Sequence, residues 1–179
     1  MSTMSVSRSS LADLAELLTL VNVTYRGESS KKGWTDESSF IAGEIRVDEE
    51  TLSAYLTHPD ICILKYTDEN QQIIGCVNLH KKQDKLHLGM FAVHPELQAA
   101  GIGKILLQAA EAHGKAEGCK AINLTVIQGR DELIAFYERR AYLLTGKSFP
   151  FPVEHHRFGV PLKEVMLLEM EKELTFPSN

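Results

Sequence analysis

Cysteine is scarce in this chain: three residues, Cys62, Cys76 and Cys119, in 179. They are odd in number and far apart, form no CxxC pair and join no His/Cys cluster with zinc spacing. A disulfide framework and a structural zinc site are therefore excluded, and no metal is expected. They read as small core residues in a reducing compartment, which makes a cytoplasmic address the expectation. Long apolar runs are also missing. None approaches the roughly 20 residues of a membrane span, and MSTMSVSRSS at the start has no apolar signal core. No membrane partner is expected. Basic charge is in short supply: the formal net charge is -5 and the pI about 5.8, against a general nucleic-acid binder. Repeats and low-complexity stretches are absent. What is present is 44% hydrophobic residues, enough for a core without staples at this length. One domain over residues 1–179 is the expectation.

Apolar spacing at Leu11, Leu14, Leu18 and Val21 predicts a first helix capped by Ser9 or Ser10. Residues 25–34 read as a loop, 35–44 as a second helical stretch, and 49–57 as a helix capped by Asp48 and stopped at His58-Pro59. Three short apolar runs follow, at 61–66, 72–80 and 86–93, separated by polar turns as in an antiparallel meander. Alternation in the third run places Leu86, Leu88, Met90 and Ala92 on one face and His87, Gly89, Phe91 and Val93 on the other. Gly89 is the candidate for a bulge or a close ligand approach. A helix over about 103–116, a strand over 121–127, a helix over 131–140 and strands over 142–147 and 164–170 complete a mixed α/β domain.

The segment between the third run and the next helix is the most informative. Pro95 ends the strand. Gly101 and Gly103 permit backbone angles closed to other residues. Consecutive amides of Gln98, Ala99, Ala100, Gly101, Ile102, Gly103 and Lys104 can then converge at a helix N-terminus, where donors and the helix dipole favour a phosphate. The Lys104 ammonium adds a point charge. Neither a P-loop nor a dinucleotide fingerprint fits: Lys104 is followed by Ile105, and position 106 is Leu.

The longer pattern Val93-x-Pro95-x-x-Gln98-x-x-Gly101-x-Gly103 resembles motif A of the GNAT superfamily of acyl-CoA-dependent N-acyltransferases. The segment 133–142, with Phe136-Tyr137 at the end of a helix, resembles its motif B. The likeness spans nearly the whole chain. It implies a single-domain α/β fold with a mixed, mostly antiparallel sheet of six to seven strands. That sheet would splay at the bulged strand 85–93 and be flanked by helices. It also implies transfer of an acetyl group from acetyl-CoA to a primary amine, by direct attack through a tetrahedral intermediate. The amides of 98–104 would hold the CoA pyrophosphate, and Phe91, Ala92 and Val93 would pair with the pantetheine arm. Phe136 would line the cofactor site, and the Tyr137 phenol would protonate the departing thiolate.

Departures stand at Arg130, Leu133 and Ala141, where many members carry Asn, Ala and Gly. Arg130 is expected either to reach the cofactor or to form a surface ion pair. His87 is one candidate for the base that takes the amine proton, with Glu44, Glu28 and Glu37 as rivals. Arg26, Glu28, Trp34, Glu37 and Arg46 form the expected acceptor wall. There Arg26 and Arg46 suit a carboxylate, while Glu28 and Glu44 suit an amine. Trp34 is either a recognition residue or a lid over the core, and the loop from Phe149 is expected to complete the pocket. A small-molecule acceptor is favoured and a homodimer is compatible with the resemblance. The alternatives are a CoA-binding sensor without turnover and an enzyme acting on protein or peptide amines.

Overall fold

The computed structural model describes residues 4–26, 37, 39–43, 45–152 and 159–174. Ser10 caps the first helical segment: its hydroxyl accepts from Ala12 N while Asp13 accepts from Ser10 N. A single 3₁₀ turn, Leu11–Asp13, leads into α1 (Leu14–Tyr25), which buries Leu17, Leu20 and Val21. Asp48 caps α2 (Glu49–Thr57) through Thr51 N. α3 (Ile102–Ala116) and α4 (Asp131–Glu138) follow the second and third groups of strands.

The strands are β1 (Ser5–Arg8), β2 (Ile41–Ala42), β3 (Ile61–Thr67), β4 (Ile73–Lys82), β5 (Lys85–Val93), β6 (Ala121–Ile127), β7 (Leu143–Pro150), β8 (Val160–Pro161) and β9 (Met166–Glu173). Seven of them form one sheet in the order β1-β3-β4-β5-β6-β9-β7, while β2 and β8 pair separately. Every neighbour in the large sheet is antiparallel except β5 and β6, which run parallel. The expected mixed sheet flanked by helices is therefore observed, with seven strands.

The helical expectation for 35–44 fails where that segment is described. Ile41–Ala42 is a strand, and Gly43 follows at φ +116°, an angle a helix cannot use. A Cβ on Gly43 would make only ordinary contact, 3.5 Å from the Gly159 Cα, so the backbone angle and not crowding favours glycine there.

The sheet separates two cores. One contains Leu86, Leu88, Phe91 and Val93 with Leu106, Leu107 and Ala110 of α3. The other contains Met90 and Ala92 with Leu17, Leu20 and Val21 of α1 and Leu52 of α2. That division reveals a bulge. Cys76 opposes Ala92 but Asn78 opposes Gly89, so Val77 alone faces both Met90 and Phe91. Met90 takes the strain at φ +43°. The bulge lies beside Gly89 rather than on it. It also shifts the alternation by one residue, so Phe91 and Val93 join the face of Leu86 and Leu88. His87, between those leucines, points to the opposite face and not to that of Phe91, as simple alternation had it.

Candidate active site

β5 and β6 stay paired for three rungs only: Lys85 with Ala121, Leu86 with Ile122, and His87 with Asn123. Beyond the His87–Asn123 rung the strands part, and the wedge between them opens into a cavity of about 530 Å³. This size is ordinary for a small-molecule site. His87 and Phe91 line it from β5, Tyr137 and Arg130 from α4, and Arg26, Glu37 and Arg46 from the segment after α1. Sequence-expected site residues scattered over more than half the chain are thereby brought together. Phe151 and Pro152 also line it, as expected of the loop after Phe149. Glu28, Trp34 and Glu44 lie outside the described residues.

His87 sits at the apex of the wedge. Its Nδ1 is 2.8 Å from the Asn123 Oδ1. An amide oxygen only accepts, so Nδ1 carries the hydrogen and Nε2 keeps a lone pair. Burial pushes the imidazole below its ordinary pKa, partly opposed by the Asn123 hydrogen bond. At neutral pH it is an uncharged acceptor.

Tyr137 is held by the end of its own helix. Tyr142 N donates to Tyr137 O (3.1 Å) and Ala141 N to Glu138 O (3.0 Å), with Ala141 left-handed at φ +70°. This is a Schellman stop, which brings the residue beyond the turn back against the last helical turn. Tyr142 accordingly packs edge-on against Tyr137 at 5.6 Å, and Phe136 packs on its other side at 5.2 Å. Among the described residues nothing hydrogen-bonds the Tyr137 hydroxyl. Burial raises its pKa, as does the neighbouring Tyr25, so the phenol stays protonated.

The bulge leaves backbone carbonyls without ladder partners, and side chains take them. Tyr25 Oη donates to Phe91 O at 2.6 Å, and Cys76 Sγ to Met90 O at 3.7 Å. Burial pushes the Cys76 thiol up to about 12, and Cys62 and Cys119 are raised by burial too. All three cysteines are free and buried, so none offers a ready thiolate.

Directly after β5 comes a 3₁₀ helix, Pro95–Ala100, then Gly101 at φ +77° as the N-cap of α3. The amides of Gln98, Ala99 and Ala100 thus belong to a 3₁₀ turn, whose i→i+3 bonding uses them. The Gln98 side chain has a structural task, donating to Val93 O at 2.9 Å. The first α-helical bond runs from Ile105 N to Gly101 O. Among the described residues, the first-turn amides of Ile102, Gly103 and Lys104 have no acceptor, and no side chain caps the helix. No acid stands in its first turn. These three donors suit an anion. A Cβ on Gly103 would lie 3.4 Å from Phe91 and 3.9 Å from Phe136, so the turn stands against the aromatic wall of the wedge. Ala92 and Val93 have their side chains in the cores and offer only backbone.

The three arginines differ. Arg26 is 2% exposed, and its guanidinium meets Glu37 at 3.0 and 3.2 Å and Ile45 O at 3.3 Å. It ties this segment together and neutralises Glu37, which is therefore not an uncompensated anion. Arg130 stands at the N-cap position of α4 without a side-chain cap bond and meets Glu132 at 3.0 Å. The Arg46 guanidinium lies 5.4 Å over the Tyr25 ring. Asn123 and Tyr25 were missed as site residues. Asn123 was detectable as the lone amide in an apolar strand; Tyr25 was not, since its partner is 66 residues away.

Residues 19–142 match the model of the Acetyltransferase (GNAT) family. The chain belongs to that family. No curated protein matches it significantly. Among solved structures, this GNAT member is similar to the ribosomal-protein-S18-alanine N-acetyltransferase from Escherichia coli, at 16% identity and a TM-score of 0.70 over 98% of this chain and 97% of that one. It is similar to yncA, a putative acetyltransferase from Salmonella typhimurium with its cofactor acetyl-CoA, at 16% identity and a TM-score of 0.71 over 99% and 98%. The paia N-acetyltransferase from Thermoplasma acidophilum, in complex with coenzyme A, gives 19% identity and a TM-score of 0.67 over 96% and 99%.

Proposed function

We propose that the protein transfers the acetyl group of acetyl-CoA to the primary amine of a small molecule by direct attack. The observation that carries this reading is the wedge opening at His87, flanked by the acceptorless amides of Ile102, Gly103 and Lys104. Those amides suit the pyrophosphate, with Lys104 and Arg130 nearest in kind to add positive charge. Beyond His87 no strand among the described residues pairs with β5 on the β6 side, and an amide-bearing arm can add there along Phe91, Ala92 and Val93, beside the carbonyls that Tyr25 and Gln98 already hold. Acetyl-CoA, when bound, supplies the activated acyl group.

The residues then divide the proton work. His87 Nε2 accepts the proton of the incoming ammonium, leaving the neutral amine that attacks the thioester. An amide of the bulged strand near Ala92 stabilises the oxyanion of the tetrahedral intermediate. Tyr137 donates its phenolic proton to the departing thiolate as the C–S bond breaks, and the second proton lost by the attacking nitrogen restores the phenol. Burial raises the phenol, and the same dry wedge raises the pKa of the thiol, so the departing thiolate is a stronger base there than in water. Buried, protonated cysteines support direct transfer over an acyl-cysteine. Cavity size supports a metabolite over a folded protein.

Initial rates of CoA release with a panel of amines test this. Intersecting double-reciprocal lines are expected. Parallel lines would overturn direct attack. Acetyl-CoA binding without release by any amine would favour a sensor.

A further inference from the structure

We propose that the acceptor amine also carries a carboxylate, and that Arg46 holds it. This rests on the acetyl-transfer reading of the same cavity. Charge balance comes first. The charged lining residues among those described are Arg26, Arg46, Arg130 and Glu37. Glu37 is consumed by Arg26, and Arg130 meets Glu132. Among the described residues no carboxylate pairs with Arg46. Among the described lining residues, the positive charge left over is therefore that of Arg46. Such a field repels a purely cationic amine and eases loss of the amine proton, while an anionic group on the same molecule is drawn in.

Position comes second. The Arg46 backbone is fixed: its N–H and that of Val47 both donate to Asn22 Oδ1, at 2.6 and 3.1 Å, and Asn22 Nδ2 donates back to Val47 O at 3.0 Å. The guanidinium is presented from this clamp over the Tyr25 ring, and the Tyr25 hydroxyl touches the Phe91 carbonyl in the bulge. One tyrosine ring thus separates the cation from the reacting strand. That span suits a short amino acid, with its carboxylate forked on Arg46 and its amine toward His87. Thr51 and Tyr55 of α2 line the same wall and offer hydroxyls to the carboxylate's remaining lone pairs.

The test uses the full chain, acetyl-CoA, and amino acids of increasing amine-to-carboxylate spacing, each paired with its neutral carboxamide. The wild type is expected to prefer at least one acid over its amide by roughly 10- to 100-fold in kcat/KM, the scale of one charged hydrogen bond. Arg46→Gln should collapse that ratio toward one through KM, and Arg46→Lys should restore part of it. Equal use of acids and amides by the wild type, or an unchanged ratio in Arg46→Gln, would overturn the assignment. If no acceptor releases CoA, the transfer reading fails. Calorimetric titration of the same acids then decides Arg46 alone: binding lost in Arg46→Gln supports the site, and equal or absent binding overturns it.

Discussion

The Tyr25 hydroxyl donates a 2.6 Å hydrogen bond to the Phe91 carbonyl, tying the end of α1 to the bulge that opens the active-site wedge. A carbonyl displaced from its ladder needs a partner, and leaving it unsatisfied costs about 1–3 kcal/mol. Tyr25→Phe should therefore lower the melting temperature by several degrees, at about 2–4 °C per kcal/mol for this size. It should also lower kcat, because the bulge loses its anchor. Unchanged melting and turnover would show that the bulge holds itself.

His87 should write its protonation state into the rate. Its pKa lies below the ordinary 6.5, and only the neutral form accepts a proton. kcat/KM should rise with pH along a limb that levels off before neutrality, and His87→Gln should remove the limb and lower the rate by roughly 10²–10⁴-fold. Stability carries the same sign. A depressed folded pKa means the unfolded chain binds more protons, so stability is full above the unfolded value near 6.5 and declines as pH falls toward the folded one. His80 and His113, also lowered by burial, add to that decline. His87→Gln should therefore shrink the loss without abolishing it, and chemical denaturation at several pH values measures it.

Tyr137→Phe keeps the aromatic packing against Phe136 and Tyr142 but removes the proton donor. A fall in kcat of roughly ten- to a thousand-fold is expected, with acetyl-CoA affinity close to that of the wild type. An unchanged kcat would assign the ring a packing role only.

Ala141→Gly should stabilise the fold. Ala141 sits at φ +70° in the Schellman stop, where a Cβ costs about 1–2 kcal/mol. Glycine's greater unfolded freedom returns roughly 0.4–1 of that. The melting temperature should rise by a few degrees at unchanged kcat; a fall would show that the Ala141 methyl makes a contact worth more than the strain.

Much of the fold was legible because local signals agreed with it. Asp48 capping α2, the apolar runs of β3 and β4 between polar turns, and Pro95 closing β5 each marked an element from neighbouring residues alone. The turn around Gly101 was legible for the same reason. What stayed hidden depends on partners distant in sequence. β1 is a four-residue polar strand that exists because β3 offers it an edge. The two-residue β2 needs β8, some 120 residues on. The bulge at Met90 comes from register with β4, so alternation placed His87 on the face of Phe91. Arg26 looked like a substrate anchor until the fold set Glu37 and Ile45 O around it.

Calorimetric titration with acetyl-CoA, comparing wild type with Gly101→Asp, tests the central claim most directly. A Cβ at Gly101 meets nothing within 4 Å, so the variant's main effect is a carboxylate and a strained φ beside the amides of Ile102, Gly103 and Lys104. One acetyl-CoA per chain should bind the wild type, and the variant should lose that binding while keeping its circular dichroism spectrum. No binding to the wild type, or undiminished binding to a folded variant, would contradict it.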